Sequence, residues 1–365
     1  MALALRLAAK GLGATSPNPA VGAVVVAGGR IVGAGYHRKA GEPHAEVLAL
    51  QAAGRRAQGA TLYLTLEPCC HSRKRTPPCV PVILRSGIRR AVIAMHDPNP
   101  RVSGRGIRAL QRAGIDVAVG CLSDKASALN EGYAHWVRTG RPLVILKASM
   151  TLDGKIATAS GESRWITGSE ARRLVHAWRS RVDAILVGLG TVLRDDPQLT
   201  ARAVPNGQAA RRPRQPLRII LDSRLRIPLT ARVVAPAPGP STIIATTAAS
   251  SARKRRQLEA RGVRVLVLPA RQGLVSLPAC FARLGRMGVT TVMIEGGAEV
   301  NASVLQSRMA HRLRLFVAPR LLGGQDAKSV IGGRSPRHLD RAVPLKNLRV
   351  RMVGPDLLIE GDLAD

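Results

Sequence analysis

Short apolar runs alternate with stretches of helical spacing along most of the chain. Val21-Gly22-Ala23-Val24-Val25-Val26 is an unbroken apolar run and predicts a buried strand. Gly28-Gly29 predicts a tight turn, with Arg30 to Gly35 returning as a hairpin partner. His44 to Ala57 carries Val47, Leu48 and Leu50 at helical positions. Thr61 to Leu66 alternates with period two and predicts a strand stopped by Pro68. A helix over Val80–Arg85, with Pro81 in its first turn, follows. Then come a strand over Ala91–Met95, a helix over Gly106–Ala113 and a strand over Asp116–Val119. This alternation predicts an α/β layered domain with helices over a sheet.

Thr139-Gly140-Arg141-Pro142 is a turn-rich break, and a new strand, Leu143 to Ala148, follows it. The expected domains are therefore 1–142 and 143–365. Strands are predicted at Ala184–Val187, Leu217–Leu221, Ser241–Ala245, Val263–Leu268 and Thr291–Ile294. Proline-rich loops at Val204–Pro216 and Ala235–Pro240 separate some of them, and no internal repeat relates the halves. The total of 365 residues suits two domains, each large enough for its own core.

Composition narrows the class. At 45% hydrophobic residues the chain is not disordered, despite a net charge of +33. It has no run of about 18 uncharged apolar residues, so no membrane span is expected. Met1 to Lys10 is too short and too interrupted by charge for a secretory signal, and reads as an amphipathic helix. Five cysteines, two of them adjacent, do not resemble a disulfide framework, so a reducing cytoplasm is expected.

The basic excess raises nucleic acid as a partner. However, residues 1–146 carry 20 basic and 7 acidic side chains, and residues 147–365 carry 36 and 16, so the charge is spread rather than gathered in a tail. Aromatic residues, which stack bases in single-strand binders, make up 2%. Local clusters remain at Arg73-Lys74-Arg75, Arg211-Arg212-Pro213-Arg214 and Arg253-Lys254-Arg255-Arg256. Two readings stand: a solvated basic surface, or attraction for phosphorylated ligands.

Three motifs in the first half point to a metal. His44-Ala45-Glu46 opens a helix, Glu67-Pro68-Cys69 ends a strand, and Pro77-Pro78-Cys79 opens the next helix. Catalytic zinc takes three protein ligands and keeps the fourth position for water. His44, Cys69 and Cys79 meet that count, and Glu46 would move protons beside the water. The ordered set is the signature of zinc deaminases. Cys70 and His71 are rival ligands; Cys69 is preferred because it follows Pro68 at the strand end. The long insert between the cysteines, with Arg73, Lys74, Arg75 and Thr76, could contact a substrate phosphate.

In the second half, Gly188-Leu189-Gly190 follows a strand but lacks the third glycine of a dinucleotide fingerprint. Ile294-Glu295-Gly296-Gly297-Ala298-Glu299 runs from a strand into a helix whose free N–H groups could hold a phosphate. A tight strand–helix turn explains the glycine pair equally well. Lys147 and Asp153-Gly154-Lys155 are expected on the strand after the boundary, and Asp195-Asp196-Pro197 after a helix. Taken singly, each reads as a solvated or capping residue.

Together these runs resemble a known family. Thr15-Ser16-Pro17-Asn18-Pro19, His44-Ala45-Glu46-Val47, Thr65-Leu66-Glu67-Pro68-Cys69, Arg75-Thr76-Pro77-Pro78-Cys79 and Asp97-Pro98-Asn99-Pro100 resemble the deaminase domain of the RibD family of bifunctional riboflavin-biosynthesis enzymes. Leu152-Asp153-Gly154-Lys155-Ile156-Ala157, Ser160-Gly161-Glu162-Ser163, Thr191-Val192-Leu193, Asp195-Asp196-Pro197 and Glu295-Gly296-Gly297 resemble its reductase domain. The resemblance implies an N-terminal cytidine-deaminase-like domain and a C-terminal dihydrofolate-reductase-like domain. It also implies zinc-dependent deamination of 2,5-diamino-6-ribosylamino-4(3H)-pyrimidinone 5′-phosphate. NADPH-dependent reduction of 5-amino-6-(5-phosphoribosylamino)uracil to the ribityl product would follow. By the same resemblance, Zn²⁺ is held by His44, Cys69 and Cys79, and Glu46 is the proton shuttle. Asn18 lines the deaminase pocket. NADPH contacts fall on Ser149, Trp165, Thr191, Asp195, Ser223, Gly297, Ala298, Glu299, Val300, Asn301, Ala302 and Ser303. Substrate contacts fall on Ser163, Arg179, Leu199, Arg202 and Glu295. The family usually has one residue fewer between the zinc cysteines. The implied partners are the phosphorylated pyrimidine and NADPH, with no nucleic acid or membrane, and the protein is expected to be a homo-oligomer. The competing readings are an RNA-directed zinc deaminase and a relative with only one active domain.

Overall fold

The computed structural model describes residues 1–71, 77–202, 213–235 and 241–363. The Arg73–Thr76 insert, Arg211-Arg212 and most of both proline-rich loops lie outside the described residues. The chain divides into two compact units, Met1–Arg141 and Pro142–Asp365.

The first unit holds strands β1 (Gly22–Ala27), β2 (Arg30–Tyr36), β3 (Thr61–Leu64), β4 (Arg90–Ile93) and β5 (Asp116–Val119). Its helices are α1 (Ala2–Ala9), α2 (Ala45–Ala53), α3 (Cys79–Arg85), α4 (Arg105–Arg112), α5 (Ser123–Leu129) and α6 (Glu131–Thr139). The sheet order is β2-β1-β3-β4-β5. The β1–β2 and β1–β3 pairs are antiparallel, and β3, β4 and β5 run parallel. Ala23, Val25, Leu62, Leu64, Ala91 and Ile93 share one core with Ala45, Ala49, Leu50 and Ile83 of the helices. Glycine on β2 sets how closely α2 lies. A Cβ on Gly33 would stand 2.2 Å from the Ala49 carbonyl oxygen, and one on Gly35 would stand 2.8 Å from that of Ala45. The helix predicted to reach Ala57 ends at Ala53, because Gly54 turns to φ 55° and a 3-10 turn follows. Helices α5 and α6 were not expected: both are short and separated by one residue, Asn130.

The second unit is built on a nine-stranded sheet. Its strands are β6 (Leu143–Thr151), β8 (Ala184–Gly188), β9 (Leu217–Leu221), β10 (Thr242–Thr246), β11 (Arg264–Val267), β14 (Thr291–Ile294), β15 (Arg312–Ala318), β17 (Leu345–Val353) and β18 (Asp356–Leu363). Two small pairs, β7 (Lys155–Ala157) with β16 (Lys328–Ser329) and β12 (Ala270–Arg271) with β13 (Leu274–Val275), flank it. Helices α7 (Ser169–Arg179), α8 (Leu189–Asp195), α9 (Ala252–Glu259), α10 (Leu277–Arg286) and α11 (Ala298–Gln306) complete it. The order is β11-β10-β9-β8-β14-β6-β15-β18-β17, parallel from β11 to β15 and antiparallel at the last two pairs.

Successive side chains of the parallel strands enter opposite cores. Ile145, Ile185, Val187, Ile220, Ile244 and Met293 join one cluster; Val144, Leu146, Leu186, Ile219, Ile243 and Ile294 join the other. A strand covered on both faces reads as an unbroken apolar run, which is why these strands were legible. Strand β15, Arg312-Leu313-Arg314-Leu315, alternates instead, and β17 is exposed along almost its whole length. Neither was expected. Asp153 and Gly154 lie in a turn after β6 rather than on it, since Gly154 adopts φ +82°. Among the described residues, no helix is long and apolar enough to cross a membrane.

Candidate active sites

In the first unit, His44 is the residue before α2, Cys69 follows the end of β3, and Cys79 is the first residue of α3. Their ligand atoms lie within 4.8 Å of one another. His44 Nδ1 faces the Cys79 sulfur at 3.2 Å and the Cys69 sulfur at 3.6 Å. The Cys79 amide donates to the Cys69 sulfur at 3.3 Å and to the Cys69 carbonyl oxygen at 3.0 Å. The helix N-terminus thus turns its N–H groups toward the thiols and favours thiolate. Glu46 is buried in the first turn of α2, and its Oε2 has no hydrogen-bond partner. Burial first, and then the charge of Cys69, pushes its carboxyl above the usual range. One imidazole nitrogen, two sulfurs and an unpartnered buried carboxylate oxygen fit a tetrahedral zinc with an open position. Cys70, by contrast, packs beside the apolar core of this unit.

A residue given no role from sequence stands behind this cluster. Glu67 has a fully buried side chain. Its Oε2 accepts from the amides of Asp97 at 3.2 Å and Gly104 at 2.9 Å, and its Oε1 from those of Gly106 at 2.9 Å and Ile107 at 3.2 Å. The carboxylate therefore caps α4 from outside, at the positive end of the helix dipole. Gly106 permits this approach: a Cβ there would stand 2.1 Å from the Pro68 carbonyl oxygen. Asp97 accepts from Tyr133 of α6 at 3.0 Å and from the Asn99 amide at 2.8 Å. Burial raises the Asp97 pKa to about 6. Asn18 lies in the Thr15–Ala20 turn, and its Nδ2 meets His37 Nε2 at 3.2 Å.

The second unit gathers charges. Arg179, the last residue of α7, holds Glu295, which follows β14, with two parallel bonds of 2.7 and 2.8 Å. Their side chains are 16% and 10% exposed. Burial raises the Glu295 pKa, but the charge and hydrogen bonds of Arg179, then Lys147 and His176, hold it below its ordinary value. Arg179 also donates to the Thr200 carbonyl oxygen at 3.0 Å, and His176 Nδ1 lies 3.2 Å from the same atom. This fixes the Leu199–Arg202 segment. Leu199 packs its side chain into the core, so only its backbone can face a ligand, whereas Arg202 is exposed. Burial lowers the Lys147 pKa, with Glu295 opposing. Lys147 is thus a member of this cluster rather than a solvated residue; a cation inside an apolar strand run was the available signal. His176 had no such signal.

The remaining expected residues are spread over several elements of this unit. Ser163 Oγ donates to Asp195 at 3.4 Å, and Arg164 donates to the Asp195 carbonyl oxygen. Trp165 is exposed beneath Arg172, whose guanidinium lies 4.7 Å from the ring centre. Ser149 is on β6 and Thr191 on α8. The Ser223 hydroxyl accepts from the Val275 amide at 3.0 Å. The two glycines before α11 are glycine for different reasons. A Cβ on Gly296 would stand 2.6 Å from Val300 Cβ, whereas one on Gly297 would meet only Thr191 Oγ1 at 3.9 Å. Gly296 is a packing glycine, and Gly297 leaves space in front of α11, whose N-terminus has no side-chain cap. Asn301 and Ala302 are buried, and Asn301 donates to the Val330 carbonyl oxygen at 2.8 Å.

Comparison with known proteins divides the chain in the same way. A family described as the cytidine and deoxycytidylate deaminase zinc-binding region matches residues 1–95. The RibD C-terminal domain matches residues 142–359. The chain is 44% identical over 360 residues to the riboflavin biosynthesis protein RibD of Actinobacillus pleuropneumoniae, covering 99% of this chain and 93% of that protein. It is 43% identical over 365 residues to the RibD of Escherichia coli K12, covering 98% and 97%. The solved structure of Acinetobacter baumannii RibD superposes with a TM-score of 0.87 at 38% identity, over 100% of this chain and 97% of that one. A diaminohydroxyphosphoribosylaminopyrimidine deaminase/5-amino-6-(5-phosphoribosylamino)uracil reductase from Thermotoga maritima superposes at 0.86 with 34% identity, over 100% and 97%. The fold is accordingly a cytidine-deaminase-like domain followed by a dihydrofolate-reductase-like one. With its metal-donor cluster in one unit and its buried charged cluster in the other, the chain belongs to the RibD family of bifunctional deaminase–reductases of riboflavin biosynthesis.

Proposed function

We propose that this chain deaminates 2,5-diamino-6-ribosylamino-4(3H)-pyrimidinone 5′-phosphate in its first unit. In its second unit it reduces the resulting 5-amino-6-(5-phosphoribosylamino)uracil with NADPH. The observation that carries the first half is the convergence of His44 Nδ1 and the sulfurs of Cys69 and Cys79 beside buried Glu46. These three residues hold Zn²⁺, which when bound supplies a Lewis acid and a water activated at neutral pH. Glu46 takes a proton from the attacking water and passes it to the departing ammonia. Its unpartnered oxygen and raised pKa suit both acts. Asn18 lines the pocket.

For the reduction, the uncapped N-terminus of α11, from Gly297 through Ser303, receives the cofactor's phosphates. Ser149, Trp165, Thr191, Asp195 and Ser223 line the rest of the cofactor site. Ser163, Arg179, the Leu199 backbone, Arg202 and Glu295 receive the sugar phosphate. The hydride comes from the cofactor; the protein aligns it. Arg179 is already paired with Glu295, so the cleft is organised before substrate arrives. A homo-oligomer is supported by β17. It is an edge strand exposing Leu345, Leu348, Val350 and Met352, a surface that a second copy would cover. Few aromatic residues argue against a nucleic-acid partner.

The test is incubation with the diaminopyrimidine phosphate, with and without NADPH, followed by mass analysis and ammonia assay. Ammonia is expected without NADPH, and NADPH oxidation only once the deaminated compound forms. NADH run in parallel checks the cofactor choice. Glu46→Gln is expected to slow deamination by about 10²–10⁴-fold while reduction of supplied intermediate continues. Deamination at the normal rate in Glu46→Gln would remove the assigned mechanism.

A further inference from the structure

We infer that the Ser163 hydroxyl couples the two ligands of the second unit: Asp195 holds it while the cofactor is absent, and it turns to the sugar phosphate once the cofactor occupies Asp195. This rests on the reading of Ser163 as a substrate residue and Asp195 as a cofactor residue, and adds that each governs the other. Asp195 is the last residue of α8, and Ser163 lies in the loop between β7 and α7. Ser163 Oγ donates to Asp195 Oδ1 at 3.4 Å. A serine hydroxyl carries one proton, and an ionised carboxylate only accepts. The oxygens of a phosphate dianion also only accept. The proton that Asp195 holds is therefore the one that a substrate phosphate needs.

The rest of the loop is fixed, so the hydroxyl is the part that can turn. The Thr158 amide donates to the Glu162 carbonyl oxygen at 3.0 Å, and the Glu162 amide to Thr158 Oγ1 at 3.0 Å. Gly161, at φ +92°, lies against the end of α8: a Cβ there would stand 3.0 Å from Arg194 Nε. Arg164 donates to the Asp195 carbonyl oxygen. Further on, the Trp165 carbonyl oxygen accepts from Arg320 at 3.2 Å and that of Thr167 from Arg172 at 2.7 Å. Contacts on both sides thus carry Ser163 to Asp195 and leave rotation of its side chain. Its bond to Asp195 is longer than the usual range of about 2.5–3.0 Å for a hydroxyl donor, so little is lost when it turns. A carboxylate in the cofactor site repels the cofactor's phosphates and suits its O–H and N–H donors, on ribose or carboxamide. Such a donor shares the carboxylate's charge and loosens its hold on Ser163. Bound cofactor then improves substrate binding, and linkage makes the effect reciprocal.

Calorimetry on the full chain tests this, with 5-amino-6-(5-phosphoribosylamino)uracil and with NADP⁺, which binds without turnover. In the unmodified chain, saturating NADP⁺ is expected to tighten substrate binding about fivefold, the low end for coupled sites. Ser163→Ala is expected to weaken substrate binding and bring the coupling factor to about one. Asp195→Ala is expected to weaken NADP⁺ binding, to abolish the coupling and, without cofactor, to bind substrate more tightly than the unmodified chain. A residue that merely supported the loop would shift affinity the other way. The gain should vanish in the double variant, which lacks the hydroxyl. A gain that persists there comes from removing a negative charge and overturns the inference. A coupling factor of one in the unmodified chain overturns it as well, and leaves the site reading standing if each single variant still weakens its own ligand. If Ser163→Ala leaves substrate affinity unchanged, or Asp195→Ala leaves NADP⁺ affinity unchanged, the site reading of that residue fails and takes the inference with it.

Discussion

The donor cluster of the first unit joins His44 to residues 25 and 35 positions later, two donors at helix starts and Cys69 in the loop after β3. The Arg179–Glu295 pair of the second unit spans 116 positions and joins a helix end to a strand end. The electrostatic states also differ. In the first unit, soft donors and a buried carboxylate face one another. In the second, opposite charges already satisfy each other. The residue types of the first arrangement say which kind of metal it suits. The second is a pair whose charges already balance, so its residue types do not name a ligand.

The largest expected effect breaks the first side of this contrast. Cys79→Ala should release the metal and reduce deamination to background, while NADPH-dependent reduction of supplied intermediate stays near normal. Metal analysis beside the two assays checks it, and equal loss of both activities would show that the units are not chemically separate. Next, Arg179→Ala should leave Glu295 buried without its cation and cost about 3–5 kcal/mol in urea unfolding. Arg179→Lys should recover only part, since an ammonium cannot make the paired bonds. A cost within error of zero would mean that the pair is not the organising contact of that cleft.

Smaller effects separate residues that look alike. Gly296→Ala should destabilise by about 1–3 kcal/mol through its clash with Val300. Gly297→Ala should leave the melting temperature nearly unchanged and weaken NADPH binding, read by calorimetry. Equal melting temperatures for the two variants would erase the distinction. The smallest effect is a pH slope. The native Asp97 carboxyl titrates at about 6, above its ordinary value of 3.8, so between these values the folded chain holds more protons than the unfolded one. Stability contributed by this site should therefore fall as pH rises from about 4 to about 6. Asp97→Asn keeps an acceptor for Tyr133 and the Asn99 amide and should flatten that slope. Urea midpoints across the window check it, and an unchanged slope would assign the titration elsewhere.

Much of this could be read in advance. Strands β9 and β14 lie where apolar pattern put them, because a run covered on both faces leaves an unmistakable trace. The cluster residues were legible because zinc chemistry restricts the residue types and the turns restrict their neighbours. Helices α5 and α6 were not, since their burial depends on contacts made by Asn130 and Tyr133 rather than on an apolar stripe. Lys147 read singly as a solvated lysine, although its place inside an apolar strand run was a signal of burial. Glu67 was visible only as part of a motif; its four amide partners come from the loop that begins 30 residues later and from the first turn of α4.

The sequence by itself determined the alternating α/β plan, the metal-donor residue types and the family. These depend on periodicity and on local chemistry, and both are written in neighbouring residues. The tertiary structure alone decided three other things. One is that Gly296 is needed for packing and Gly297 for space. Another is that Arg179 and Glu295 neutralise each other. The last is that Glu67 gathers the amides of Asp97, Gly104, Gly106 and Ile107. Each depends on distance and direction between atoms, and only the folded chain defines those.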